Sequence, residues 1–367
     1  MKIISIVWYK VLPPKFGGQK GIACFNNELA KHHPLVCLCA ANNEPADDLL
    51  YKVRTELPVS KWQFILPSCW KKITNVISQE KATHIILEHP YHGLAAIRAR
   101  KATGAKLIVH SHNIEAERFR EMGKWWWQLL YLYEKWVHRK ADLSLFKTET
   151  DMSWAIQRFK LQHTACMVIP YGVTRPVKIK EAGSMIRQRH DIAATDKILL
   201  FAATLDYKPN AIAVEHLFNQ IAPEISRQHL SYRIIICGRN NHPSFQYLKK
   251  LSHPAVILAG EVEDIENYFS AANVFINPVE SGGGMQTKNI DALSYELNVI
   301  CFDYMLAGIE ISLVNSKVFP IAKNDWKGFV ATIHTACLYS QVLPEGFFHH
   351  YSFTRQTEKL AARLNSL

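Results

Sequence analysis

Short apolar runs recur along the chain and alternate with longer stretches of helical periodicity. The runs predict buried strands at 3–9, 35–40, 84–88, 106–112, 143–148, 166–170, 197–204, 232–238, 255–262, 274–278 and 298–303. The periodic stretches predict helices at 20–32, 93–103, 115–140, 149–160, 210–228, 243–251, 264–272 and 286–296. Continuously apolar strands that alternate with helices are typical of parallel sheets covered on both faces. The pattern therefore predicts an α/β fold.

The length and a cluster of turn residues indicate two domains. The chain has 367 residues, and domains average about 150. Pro170, Gly172 and Pro176 mark a junction between the two groups of strands. We predict two doubly wound, Rossmann-like domains, 1–173 and 174–345, and a C-terminal helix, 346–367, packing back toward the first. Ligands of such sheets bind beyond the carboxyl ends of the strands, so we expect the site in the cleft between the domains.

The positive charge is confined to the first half of the chain. Residues 1–176 contain 25 Lys+Arg and 14 Asp+Glu, whereas the remainder contains 18 of each, and the net charge is +11. This asymmetry favours an anionic partner: nucleic acid, phospholipid head groups or a diphosphate-bearing substrate. A generally basic proteome would give the same excess, and charge alone does not choose among these.

The composition limits which class of protein this is and which cellular compartment it occupies. Apolar residues make up 48% and charged residues 20%, which excludes a disordered or fibrous chain. The eight cysteines form no CxxC pair, which argues against a disulfide framework or structural zinc site and favours a reducing cytoplasm. No apolar run is long enough to span a membrane, and the N-terminal run is interpreted as a strand rather than a signal peptide.

Two glycine-rich loops follow predicted strands. In KVLPPKFGGQKG, Gly17 and Gly18 allow the backbone to approach a phosphate or polar substrate, although a tight turn before a helix has the same requirement. The loop matches neither GxGxxG nor a P-loop, so the dinucleotide and ATPase fingerprints do not apply.

The second loop carries more chemistry. In NPVESGGGMQTKNIDALSYE, Gly282, Gly283 and Gly284 leave backbone N–H groups bare before a helix, where the dipole favours a phosphate. Lys288 lies on the first turn and can pair with phosphate oxygens, and Asp291 shares its helix face and could bind ribose hydroxyls. The alternative is a glycine turn followed by an ordinary Lys/Asp pair.

Motifs along nearly the whole chain are similar to those of the GT-B glycosyltransferases of the large retaining group four. The similar segments are PPKFGGQKG, HSHNIEAERFR, YEKWVHRKADLSLFKTETD, VIPYGV, FAATLDYKPNAIAVEHLF, IIICGRN, GEVEDIENYFSAANVFINPVESGGGMQTKNIDAL and HHYSFTRQTEKL. The resemblance implies a two-domain GT-B fold and transfer of a sugar from a nucleotide-sugar, with retention of anomeric configuration. It implies a donor site on the second domain, an acceptor site on the first, and no metal or other cofactor.

The resemblance also assigns residues. Lys288 matches the diphosphate-binding lysine, Asp291 stands where the family has a ribose-binding glutamate, and His112 lies where members place a histidine near the transferred sugar. His110 competes for that role, and a histidine that only packs is the alternative. We therefore predict His112 and Lys288 as catalytic. The predicted donor-binding residues are Gly17, Gly18, Lys208, Arg239, Glu280, Gly282, Gly283, Gly284, Met285 and Asp291.

The chain also departs from the family pattern. Ala203-Thr204 stands where many members have a glycine and a diphosphate-binding arginine, a loss that Lys208 or Arg239 could offset. Gly283 replaces the first glutamate of a Glu-x7-Glu pair, and Asp291 is one methylene shorter than glutamate. The missing arginine and Asp291 motivate one alternative to a transferase, a non-catalytic GT-B-like binding protein. A second alternative is a nucleotide-sugar epimerase, which has the same GT-B shape.

The segment KWWWQLLYLYEKWVHRK (124–140) combines aromatic and basic residues. Such a helix can lie on an anionic bilayer, which would suit a lipid-linked acceptor and a peripheral location on the inner face of the membrane. A helix that packs on the first domain is the alternative. Because no nucleic-acid-binding module is visible, we do not expect nucleic acid as a partner.

The resemblance thus leads us to expect a hexosyltransferase using a UDP- or GDP-sugar and a glycan or lipid-linked acceptor in polysaccharide synthesis.

Overall fold

A computed structural model describes residues 1–14, 17–281 and 284–367, with the side chain of Lys61 excluded. The described residues form two compact units. The first comprises Met1–Gly172, 284–285 and Tyr351–Leu367, and the second comprises 173–281 and Gln286–His350. Each unit contains one parallel sheet, with the order β3-β2-β1-β4-β5-β6-β7 in the first and β10-β9-β8-β11-β12-β13 in the second.

The bounds of the elements are as follows. The strands are β1 (Ile3–Val7), β2 (Leu35–Ala40), β3 (Lys52–Leu57), β4 (His84–Glu88), β5 (Lys106–His110), β6 (Leu143–Phe146), β7 (Cys166–Val168), β8 (Lys197–Ala202), β9 (Tyr232–Cys237), β10 (Val256–Gly260), β11 (Val274–Asn277), β12 (Asn298–Phe302) and β13 (Val318–Ile321). The α-helices are α1 (Gly17–Ala30), α2 (Pro67–Gln79), α3 (Gly93–Thr103), α4 (Glu115–Glu121), α5 (Trp127–Lys140), α6 (Glu149–Ala155), α7 (Ala182–His190), α8 (Lys208–His216), α9 (Ala222–Arg227), α10 (Ile265–Ala271), α11 (Thr287–Ser294), α12 (Trp326–Leu338), α13 (Glu345–His350) and α14 (Phe353–Leu364). Single π-helical turns continue α6 and α8, at Ile156–Lys160 and Leu217–Ile221.

The first sheet is buried on both faces because alternate residues of each strand point to opposite sides. In β1, Ile3 and Val7 join a core cluster with α1 and α14, whereas Ile4 and Ile6 join a second cluster with α2, α3 and α5. This arrangement explains why the strands are apolar without alternation. It also leaves the carboxyl ends of the strands as the edge where polar side chains can gather.

Local sequence signals fix where several helices begin and end. The Thr148 side chain accepts the N–H of Asp151 at the start of α6, and Ser352 accepts the N–H of Arg355 at the start of α14. α3 ends at Gly104, which has a left-handed φ of 73°.

The predicted helix over 115–140 is wrong as a single element. The chain forms α4 and α5 with a turn between them, in which Gly123 adopts a φ of 68°. The predicted helix over 243–251 is a 3-10 helix, Pro243–Lys250. Two strands, β3 and β13, were absent from the prediction.

Candidate functional site

A cluster of ionisable side chains occupies the carboxyl edge of the first sheet. Glu88 and His110 are the last residues of β4 and β5, and these two strands pair in register at that point. The Glu88 carboxylate lies 3.0 Å from Nδ1 of His110 and 2.6 Å from Nε2 of His112. The Nζ of Lys147, which follows β6, lies 2.7 Å from Nε2 of His110. Four side chains thus form one continuous hydrogen-bonded chain.

A second acidic group extends this cluster. The Glu115 carboxylate contacts Nδ1 of His89 at 3.3 Å, the Tyr91 hydroxyl at 2.7 Å and the Arg118 guanidinium at 2.6 Å. The His89 ring stacks on the His112 ring, with centroids 4.5 Å apart. His89 adopts a φ of 66°, a backbone conformation that a non-glycine residue rarely takes and that is often found at functional sites.

Burial and charge set the protonation of this cluster. Burial opposes ionisation of Glu88, but the two imidazoles hold the pKa of its carboxyl well below the usual range. Burial lowers the pKa values of His110 and His112, so both rings are neutral near pH 7. Burial also lowers the pKa of Lys147, to about 8, which leaves its ammonium mostly charged at pH 7.

Glu88, His110 and His112 are also the described side chains whose spacing would suit a metal ion. Their ligand atoms lie within 4.8 Å of one another. However, the Lys147 ammonium can only donate, so a neutral His110 accepts at Nε2 and carries its proton on Nδ1, the atom that faces Glu88. A protonated nitrogen cannot ligate a metal. In this hydrogen-bonded arrangement, the three side chains are held by one another and by Lys147.

In the second unit, Lys288 lies on the first turn of α11. Its Nζ contacts the amide oxygen of Asn210, on α8, at 2.6 Å, and lies 5.5 Å from the centroid of the Phe201 ring. Asn210 is held in turn by its donation to the Thr204 carbonyl at 2.8 Å. No carboxylate among the described residues forms an ion pair with Lys288, and burial lowers the pKa of its amine to about 7. A half-buried cation with a neutral partner is suited to an anionic ligand.

Other predicted donor-binding residues lie near the carboxyl edge of the second sheet. Arg239 follows β9 and pairs with the Asp206 carboxylate at 2.7 Å. Asp206 also accepts the backbone N–H groups of Asn241 and His242. Glu280 follows β11 and pairs with His216 at 3.0 Å. Arg239 therefore already has an ion-pair partner within this unit, whereas Glu280 contacts an imidazole whose pKa is lowered by burial.

Close strand packing explains the glycine before Arg239. A Cβ at Gly238 would lie 1.7 Å from the carbonyl oxygen of Ala203, which follows β8. Only glycine permits the backbone to pass so close to the Ala203 carbonyl. The segment 239–242 that follows lies against Asp206.

The remaining predicted residues are less informative. Gly17 and Gly18 are the first two residues of α1, and Lys208 is the exposed first residue of α8. Asp291 is partly buried on α11, and Gly284 and Met285 are partly buried before that helix, with a φ of 82° at Gly284. Gly282 and Gly283 lie outside the described residues.

Sequence reasoning did not single out Glu88, Lys147 or Asn210. Glu88 carried one signal, an acidic residue that ends the apolar run HIILE. Lys147 and Asn210 lay inside segments quoted for their family resemblance, but nothing in the spacing indicated their contacts with His110 and Lys288.

Family models match both halves of the chain. Residues 17–175 match the model described as Glycosyltransferase Family 4, and residues 196–337 match the model described as Glycosyl transferases group 1. No curated protein sequence matches the chain significantly.

Solved structures with the same fold cover the whole chain. Sucrose-phosphate synthase from Thermosynechococcus elongatus is 13% identical with a TM-score of 0.79, covering 100% of this chain and 99% of its own. HepE from Anabaena, in complex with UDP-glucose, is 14% identical with a TM-score of 0.76 and 100% coverage of both chains. WaaG, a glycosyltransferase involved in lipopolysaccharide biosynthesis, is 14% identical with a TM-score of 0.70, covering 99% of this chain and 100% of its own. The predicted fold class, GT-B with two Rossmann-like domains, is confirmed.

Proposed function

Because this chain is a glycosyltransferase of the GT-B fold, we propose that it transfers a hexose from a UDP- or GDP-sugar to a glycan or lipid-linked acceptor. The product would belong to a cell-surface polysaccharide. The observation that carries the proposal is Lys288, a half-buried ammonium whose hydrogen-bond partner is a neutral amide. A nucleotide diphosphate supplies the negative charge that this ammonium lacks.

The proposed reaction retains the configuration of the sugar. The acceptor hydroxyl attacks the anomeric carbon on the face that the diphosphate leaves, so the new C–O bond forms as the old one breaks. The acceptor proton passes to the departing phosphate oxygen. Lys288 stabilises the charge of the leaving diphosphate, Asp291 binds the ribose, and His112 lines the sugar site.

We propose that the reaction needs no metal. Lys288 and the helix start at α11 meet the diphosphate charge, and the Glu88 cluster is satisfied by its own hydrogen bonds. Transfer should therefore persist after exhaustive chelation. A loss of transfer that added Mg²⁺ or Mn²⁺ restores would contradict this part of the proposal.

Binding followed by turnover tests the proposal. Calorimetric titration with UDP, GDP and ADP identifies the base, and sugar-nucleotides of that base are then assayed for transfer to lipid-linked and free glycan acceptors. Product of retained configuration supports the proposal. Conversion of the donor without an acceptor would instead indicate the epimerase, and binding without any turnover would indicate the non-catalytic protein.

We also propose that the first unit rests on an anionic membrane surface. No helix among the described residues is long and apolar enough to cross a bilayer. Instead, large apolar side chains are exposed at two places: Trp125 is 84% exposed and Leu129 64% near the start of α5, and Trp62 is 68% exposed before α2.

The topology places these two patches on the same side of the first sheet. Both helices pack in the core cluster on one face of the sheet. Each runs back to the start of a parallel strand, α2 to β4 and α5 to β6, so both helices start near the carboxyl edge of the sheet. Exposed Arg120 and Lys124 add positive charge beside the α5 patch. Aromatic and basic groups together suit the interface of an anionic bilayer.

Co-sedimentation with vesicles tests this surface. We expect binding to vesicles rich in phosphatidylglycerol, weakening with added salt, and a loss of binding in the double variant Trp125→Ser/Leu129→Ser. Leu338→Ser, a similarly exposed position in the second unit, is the matched control. Equal binding to neutral vesicles would contradict the electrostatic part, and unchanged binding of the double variant would contradict the surface itself.

A further inference from the structure

The hydrogen-bonded chain at the edge of the first sheet determines where the protons of its two histidines lie. Its order is Lys147, His110, Glu88 and His112. Each of its three hydrogen bonds joins two side chains that the structure describes. Glu88 is 1% exposed and His110 is fully buried, so water does not compete for these contacts. Hydrogen bonds in such an enclosed place are strong and directional.

The first link fixes His110. An ammonium has donors only, so Nε2 of His110 must accept from Lys147. A neutral His110 therefore carries its proton on Nδ1 and donates it to the Glu88 carboxylate. Both nitrogens of His110 are thus occupied, which removes this ring from any direct contact with a substrate.

The last link fixes His112 in the opposite tautomer. An ionised carboxylate only accepts, so the Nε2 of His112, 2.6 Å from Glu88, carries the proton. The Nδ1 lone pair is then free to accept, and no described residue donates to it. The His112 side chain is 13% exposed, whereas that of His110 is fully buried, so a ligand can approach the His112 ring.

Neighbouring rings hold the plane of His112. The His89 ring stacks on one side, and the His110 ring lies 4.5 Å away at an angle of 35°. His89 is itself held by Glu115, whose carboxylate pairs with Arg118 and accepts a hydrogen bond from the Tyr91 hydroxyl. Two further ionisable groups near Glu88 are the Tyr9 hydroxyl, whose pKa is raised chiefly by burial, and the Cys37 thiol, whose pKa is raised chiefly by its hydrogen bond with Cys39. None of these groups supplies a donor to Nδ1 of His112.

We propose that Glu88 is a positioning residue that holds His112 as the Nε2–H tautomer, so that Nδ1 accepts a hydrogen bond from a hydroxyl group of a reacting sugar. His110 and Lys147 orient the Glu88 carboxylate and neutralise it from the buried side. This inference rests on the proposed function for its sugar ligand, but the tautomer itself is a property of the free protein.

Nitrogen NMR of the free, histidine-labelled protein tests the tautomers without any assay. We expect the unprotonated nitrogen of His112 to be Nδ1 and that of His110 to be Nε2, with signals assigned by the single variants His112→Asn and His110→Gln. In Glu88→Gln, whose amide can also donate, the His112 signals should shift toward the other tautomer or an average of both. A protonated Nδ1 on His112 in the wild-type protein would overturn the proposal.

Substitutions at His112 then test which nitrogen matters. The amide oxygen of Asn can occupy the place of Nδ1, whereas the amide group of Gln reaches the place of Nε2. We expect His112→Asn to retain about tenfold more kcat than His112→Gln. The reverse order would overturn the role of Nδ1.

A double-mutant cycle separates positioning from a purely structural role. We expect Glu88→Gln to lower kcat by about 10- to 100-fold with little change in the KM for the donor. Added to His112→Ala, it should cause no further loss, because its effect passes through His112. Additive losses would show that Glu88 acts independently.

The outcomes also distinguish the two proposals. If the NMR tautomers are as expected but His112 variants transfer sugar normally, the role of His112 in the proposed function fails while the geometry stands. If Glu88→Gln does not fold, the wild-type NMR result and the order of the two His112 variants still decide the question.

Discussion

Charged side chains are compensated differently at the carboxyl edges of the two sheets. In the first unit, the carboxylate of Glu88 meets two imidazoles and is linked through His110 to the Lys147 ammonium. In the second unit, the Lys288 ammonium meets only the amide oxygen of Asn210. The Glu88 cluster is therefore electrostatically complete by itself, whereas Lys288 has no anionic partner among the described residues.

This difference indicates what each edge is built to bind. A compensated cluster with one open lone pair suits a neutral hydroxyl group, for which orientation matters more than charge. An uncompensated ammonium suits a diphosphate. Binding of the diphosphate raises the pKa of the amine, which burial lowers in the free protein. Positive net charge in the first half of the sequence did not reveal this, because the site that lacks an anion lies in the half with no net charge.

Removing the uncompensated charge should have the largest effect. We expect Lys288→Met to weaken nucleotide binding by about 100-fold, because charge-assisted hydrogen bonds to the diphosphate are lost. The same variant should unfold at a higher temperature, since it no longer buries an ammonium whose pKa is lowered to about 7. Calorimetric titration and thermal unfolding measure the two effects. Lys249→Met, an exposed lysine of the same unit, is the control, and equal affinity in both variants would contradict the assignment.

A smaller effect is expected at a buried carboxyl of the first unit that has no ion pair with a described residue. Glu134 accepts the backbone N–H groups of Glu115 and Ala116 at 2.9 Å each, and burial raises its pKa to about 8. The folded state therefore binds this proton more tightly than the unfolded chain, so stability falls as the pH rises from about 4.5 to 8.

Glu134→Gln should remove that pH dependence. Between pH 6 and pH 8, we expect the wild-type free energy of unfolding to fall by about 2 kcal/mol more than that of the variant, measured by urea denaturation. Parallel pH profiles for the two proteins would show that Glu134 is ionised in the folded state.

The smallest expected effect is proton uptake when the nucleotide binds. At pH 8 the Lys288 amine is mostly neutral in the free protein, and the diphosphate should raise its pKa. We expect uptake of up to about one proton per nucleotide at pH 8, and affinity that falls as the pH rises further. Calorimetry in two buffers of different ionisation enthalpy measures the uptake.

A change of partner sharpens this measurement. Asn210→Asp places a carboxylate beside the ammonium, so uptake should disappear and affinity should fall. Uptake that is unchanged in this variant would mean that the proton binds elsewhere.

The sequence predicted the fold class because each buried strand is a continuous apolar run. The two missed strands lack this signal: β3, KVRTEL, is largely polar, and β13, VFPI, is short and contains a proline. The helix over 115–140 was predicted as one element because its periodicity continues across Gly123, and a glycine alone did not reveal the left-handed turn.

The site was less accessible to sequence reasoning than the fold. Motif resemblance placed His112 and Lys288, and their roles stay predictions. Their partners Glu88 and Asn210 lie 24 and 78 residues away and are brought close only by strand order and helix packing. No local pattern specifies such contacts, so the compensation that distinguishes the two edges is a property of the tertiary structure.

The last helix has a consequence for synthesis of the chain on the ribosome. Leu360 and Leu364 of α14 belong to the same core cluster as Ile3 and Phe25. The first domain is therefore the first to be synthesised, but its core cannot be completed until α14 has been made. While the second domain is translated, the apolar surface of α1 that packs against α14 stays uncovered. A folding intermediate with this surface open is exposed to aggregation and chaperone capture, and deletion of α14 would leave the surface open permanently.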